Sequence, residues 1–115
     1  MDKVEKNMLI GAFATGAVDM ALEGYYAYND GQGNSLRGQF PYVAIHEGLP
    51  PVDDLLALGV FPLAIYALGK YMKKPSLVVA SKGGMIYGAS ELIGQTVYRL
   101  AKLVQTPSAT YRIVT

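Results

Sequence analysis

No cysteine occurs among the 115 residues. That excludes a disulfide scaffold, thiolate zinc sites, iron–sulfur clusters and a cysteine nucleophile. Tryptophan is missing too, and nine tyrosines supply most of the aromatic side chains. Charge is scarce: Asp, Glu, Lys and Arg make up 17% of the chain, against about a quarter in an ordinary globular domain. The net charge of +1 gives no bulk field of the kind that attracts nucleic acid, so no nucleic-acid partner is expected. A lone histidine, His46, leaves nothing from which to argue a Ser–His–acid arrangement. Gly31 and Gly33 do not form a dinucleotide fingerprint, and the SKGG run at residues 81–84 lacks the strand and upstream glycine of a phosphate loop. The chain therefore reads as non-enzymatic and without a cofactor.

What is there is apolar. Hydrophobic residues reach 51%, and the length fits a single unit. The clearest segment is Leu55 to Met72, LLALGVFPLAIYALGKYM, apolar for most of its length. Pro50 and Pro51 precede it and Asp53 and Asp54 fill its first turn, where acids suit the positive end of the helix dipole. Lys70, Lys73 and Lys74 close it, and Pro75 is read as its stop. At the α-helical rise it measures about 27 Å, near the thickness of a bilayer core. Pro62 should kink it and free the carbonyl of Leu58.

Two further helices are expected. The first, residues 8–28, is rich in Gly and Ala and interrupted by Asp19 and Glu23, with Tyr25, Tyr26 and Tyr28 near its end. Lys3 and Lys6 ahead of its apolar run resemble a secretory signal but are read as the approach to this helix. A central Asp costs about 2.5–3.5 kcal/mol on insertion scales, so this helix should span only with a partner. The third, residues 77–104, is amphipathic. Val79, Ile86, Ile93 and Leu100 recur every seven residues, and Gly84, Gly88, Glu91, Gln95, Arg99 and Lys102 occupy the other side. It fits a spanning helix better than one lying on the surface.

The loop at residues 29–52 contains turn formers and then QFPYVAIHEG, which alternates enough for a short strand. Residues 105–115 read as an extended arm. The fold class is thus all-α: a small helical membrane protein with two to three transmembrane or membrane-associated helices, a long first loop and an extended C-terminal arm. The lysines at residues 3, 6, 70, 73 and 74 gather on one side, favouring the N-terminus inside and the C-terminus outside.

Two constellations bear on function. Ala12 and Gly16 on the first helix, and Ala80, Gly84 and Gly88 on the third, make small-residue faces that let helices approach closely in lipid. Gly11, Thr15, Asp19 and Glu23 share a face at four-residue steps. If the first and third helices run parallel, Asp19, Glu23 and Glu91 lie about 16–22 Å into their spans, near the bilayer centre, and Lys82 about 8 Å in. Asp19, Glu23, Lys82, Glu91 and Arg99 are therefore candidates for ion handling or charge pairing. A metal site at His46 with Glu47, Asp53 and Asp54 is the weaker reading, since the two aspartates already serve as a helix start.

Three functions fit these features. The first is a structural or accessory membrane subunit of a larger assembly, such as a respiratory-type complex or a membrane-containing virion, with the lipid bilayer and other subunits as partners in a hetero- or homo-oligomer. The second is an oligomeric pore or ion conduit lined by the carboxylates. In general plan, a short chain with up to three Gly- and Ala-rich spans, it is similar to small phage holins, a likeness of architecture alone. The third is a soluble helical domain. The weak helices and small-residue faces favour the first.

Overall fold

A computed structural model describes residues 1–105, and the expected arm lies, beyond Gln105, outside the described residues. Three helices account for most of the fold: α1 (Lys3–Gly31), α2 (Val52–Tyr71) and α3 (Pro75–Gln105). Among the described residues there is no strand. The alternating segment after Gln39 yields one isolated bridge, Ala44 to Pro51. Prolines at 41, 50 and 51 remove the amide donors that a ladder would need.

α1 starts five residues before the apolar run because Asp2 and Glu5 form a reciprocal cap. The Glu5 amide donates to Asp2 Oδ1 at 2.8 Å and the Asp2 amide to Glu5 Oε1 at 3.2 Å. α2 ends in a Schellman turn, with the Lys74 amide donating to the Gly69 carbonyl and the Lys73 amide to that of Lys70. Lys73 takes the left-handed conformation, φ 55°, that glycine usually fills there. Pro75 is the first residue of α3, where its fixed φ and missing N–H do no harm. It opens the next helix as well as ending the turn.

Pro62 acts on α2 through a change of pitch. Between α-helical segments at Val52–Leu55 and Phe61–Tyr71 the chain widens into a π-turn, Leu56–Val60, with the Phe61 amide reaching back to Leu56. The wider turn accommodates a residue that has no amide of its own and whose ring would strike the preceding turn.

α1 and α3 run parallel and pack directly on each other, and α2 runs antiparallel to them, packed mainly on α3. Gly11 meets Ala80 and Gly84 meets Thr15 on one seam, while Gly88 meets Leu58 and Gly84 meets Pro62 on the other. Backbone approach at these points is very close. A Cβ on Gly11 would overlap the Ala80 carbonyl, one on Gly83 the Met8 carbonyl, and one on Gly88 the Leu58 carbonyl. Each glycine thus sets its α-carbon against a carbonyl oxygen of the neighbouring helix, the Cα–H···O contact typical of tightly packed helix pairs. The carbonyl that Pro62 deprives of its α-helical partner is the one facing Gly88.

Burial is inverted relative to a water-soluble domain. Ala57 and Leu58, each 1% exposed, are the buried hydrophobic residues among those described, and their buried company is Gly, Pro, Thr15, Ser81 and aspartates. Large apolar side chains point outward: Phe13 is 80% exposed, and Leu63, Ile86, Ile93 and Val97 are exposed as well. Ile86, Ile93 and Leu100 of the α3 stripe are outside, and Gly83, Gly84 and Gly88 are inside. Hydroxyls in the seams bond within their own helix, Thr15 to the Gly11 carbonyl at 2.9 Å and Ser81 to that of Val78 at 2.7 Å. The Val52–Tyr71 helix is long and apolar enough to cross a membrane.

Candidate functional site

The four-residue periodicity of α1 carries Gly11, Thr15 and Asp19 along its buried face, and Glu23 follows one turn later at the edge. Because α2 runs back along α1, its first turn comes down beside that edge. The result is a cluster in which carboxylate oxygens of Asp19, Glu23 and Asp54 all lie within 4.8 Å of one another. Asp19 is 8% and Asp54 6% exposed, and Oδ1 of each has no hydrogen-bond partner among the described residues. Carboxylates this close repel unless a proton or a cation stands between them. A cleft of about 470 Å³ opens on the cluster, lined by Glu23, Asp53, Asp54, Arg37, Arg99 and Tyr42 among others.

The loop forms the roof of this cleft. Tyr42 donates its hydroxyl to the Leu22 carbonyl at 2.6 Å, and its ring packs on Tyr26 with centroids 5.0 Å apart. Burial holds the Tyr42 phenol above its ordinary pKa, reinforced by the Asp53 carboxylate and by Tyr25. The loop also bonds to the start of α2, through the Val52 amide to the Val43 carbonyl and the Asp53 amide to that of Pro41. His46 accepts the Gly48 amide on Nδ1 at 2.9 Å, a loop-closing role.

Of the charged candidates, Asp19 and Glu23 enter the cluster and Arg99 lines its cleft. Glu91 is exposed on α3 and outside the three-carboxylate group, and Lys82 is exposed toward the lysine-rich end. The acids occupy the end of the apolar span, beside the first turn of α2. Asp54 is the member that the sequence assigns to the helix start and, in the weaker reading, to a metal site with His46, Glu47 and Asp53. The structure instead sets it beside Asp19 and Glu23. The antiparallel run of α2 brings its start toward the later turns of α1, but the register that sets Asp54 beside Asp19 and Glu23 has no local signal in the sequence.

The small-residue candidates divide. Gly84 and Gly88 are buried in the seams, and the Ala80 carbonyl faces Gly11. Ala12 and Gly16 instead line an outward groove with Leu9, Phe13, Met20 and Tyr87. The buried small face of α1 is the one carrying Gly11 and Thr15, one residue away. Comparison with family models, curated proteins and solved structures finds no match for this chain.

Proposed function

We propose that this chain is an integral-membrane subunit, structural or accessory and without catalytic activity, that works as part of a larger assembly. The observation that carries the reading is the inverted burial: small and polar residues line the helix seams while Phe13, Leu63 and Ile86 face outward. In water an apolar exterior of this extent is an aggregation liability, whereas in lipid it costs nothing and the close backbone seams supply the packing. Lys70, whose ammonium lies 5.6 Å from the centre of the Tyr66 ring, with Lys73, Lys74, Lys3 and Lys6 suits one interface. Tyr25, Tyr28 and Arg37 suit the other.

The assembly half of the proposal draws on the outward groove at Ala12 and Gly16, a small-residue face left open after the chain has packed its own helices. A conduit is less well supported, because the acids collect at one end of the span and do not run through it. Alkaline carbonate treatment of membranes expressing the full chain is the first test. Retention in the pellet and release by detergent is the expected result; release by carbonate alone would sink the membrane reading. Substituting Phe for Ala12 should then shift the detergent-solubilised complex to smaller size, and an unchanged size would remove the groove as the contact.

A further inference from the structure

The group formed by Asp19, Glu23 and Asp54 has features that neither a helix start nor a packing role explains. Two of its carboxylates, Asp19 and Asp54, are more than nine-tenths buried, each offers an oxygen to the cluster, and each has an Oδ1 with no hydrogen-bond partner among the described residues. Glu23, the third, is exposed and lines the same cleft as Asp54. Arg37 and Arg99 line that cleft, yet neither gives the orphaned oxygens a hydrogen bond.

We propose that Asp19, Glu23 and Asp54 form a binding site for one hard divalent cation, Ca²⁺ or Mg²⁺, which clasps α1 to the start of α2. The donors are all carboxylate oxygen, with no imidazole or thiolate in the group, which selects hard ions over zinc or copper. Oxygens on opposite sides of a Ca²⁺ ion stand about 4.6–5.2 Å apart and those around Mg²⁺ about 4.2 Å. The three carboxylate oxygens lie within 4.8 Å of one another, close enough for one such ion to be shared between them. Three protein ligands leave positions for water, which the open cleft admits. The ion would sit where the loop, α1 and α2 converge, at one end of the apolar span. The site depends on side-chain geometry alone and stands whether or not the chain lies in a bilayer.

The test uses the purified full-length protein, stripped with EDTA and desalted, titrated separately with CaCl₂ and MgCl₂ by calorimetry and by thermal unfolding. Saturable binding of one ion per chain is expected, with a rise in Tm, and the two titrations show which ion is preferred. Glu23→Gln and Asp54→Asn should each weaken binding at least tenfold while helicity by circular dichroism is retained. Glu23 is exposed, so its variant decides the matter if Asp54→Asn fails to fold. No saturable binding of either ion, or binding unchanged in Glu23→Gln, would overturn the site. So would an EDTA-stripped protein in which Arg99→Gln alone lowers Tm, since Arg99 would then be the counter-charge.

Discussion

The two ends of this helix bundle are held in opposite ways. At the lysine-rich end and through the middle, α1, α2 and α3 meet backbone to backbone at Gly11, Gly83, Gly84 and Gly88, with hydroxyls satisfied inside their own helices. At the other end, carboxylates face each other under a loop pinned by Tyr42, and two buried oxygens lack partners among the described residues. The first region gains its stability from dispersion and close approach, and it has no room for a side chain. The second has room, a cleft of about 470 Å³, and carries charge that must be compensated. Packing is therefore the task of the seams, and chemistry that of the end.

The largest expected effect comes from filling the seam. Gly88→Ala drives a methyl into the Leu58 carbonyl and should destabilise by about 4 kcal/mol or more, in the range that signals backbone displacement. The same substitution at Gly24, where a methyl meets nothing within 4 Å, should stabilise by about 0.5–1 kcal/mol through helix propensity. Thermal unfolding in one detergent measures both. Equal effects would mean that the seam is not as close as the glycine contacts require.

At the other end a substitution should help. Asp19→Asn removes one of three clustered charges and offers an amide donor to Asp54, so without divalent ions it should stabilise by roughly 1–2 kcal/mol. A loss of stability under EDTA would show that Asp19 already has a favourable partner. A smaller effect is expected at the roof. Tyr42→Phe loses the 2.6 Å bond to the Leu22 carbonyl, worth about 0.5–1.5 kcal/mol. Because the folded phenol holds its proton more tightly than the unfolded one, this contribution is complete below the ordinary tyrosine pKa. It is lost as pH rises through the higher folded value. Wild type and Tyr42→Phe should therefore converge in stability at strongly alkaline pH, and a constant gap across pH would contradict the assignment.

Much of this architecture is legible in the sequence, for reasons that particular residues show. The lysines around residue 70 and the paired prolines at 50 and 51 bracket α2, and its apolar run is unbroken enough to identify the spanning candidate. The outward stripe of α3 and its glycine face follow from periodicity, although which face lies inside does not: in water the apolar stripe would be buried. The start of α1 is displaced because the Asp2–Glu5 cap extends it through polar residues. The short strand fails on proline, where alternation alone gives no warning. The buried small face of α1 was hard to choose because Ala12 and Gly16 match the small-residue pattern as well as Gly11 and Thr15 do. The acid cluster needed the register between α1 and α2, which no local pattern encodes.

The inverted burial carries the membrane reading, and the absence of cysteine makes it directly measurable. Single cysteines placed at Phe13, Leu63 and Ile86, with Gln32 as the loop control, can each be spin-labelled and the protein reconstituted in liposomes. Collision rates with dissolved oxygen and with a water-soluble nickel chelate then report what surrounds each position. Labels at 13, 63 and 86 should be reached by oxygen and shielded from nickel, with the label at 32 showing the reverse. Nickel access at all four positions would contradict the account, because those outward apolar faces would then meet water.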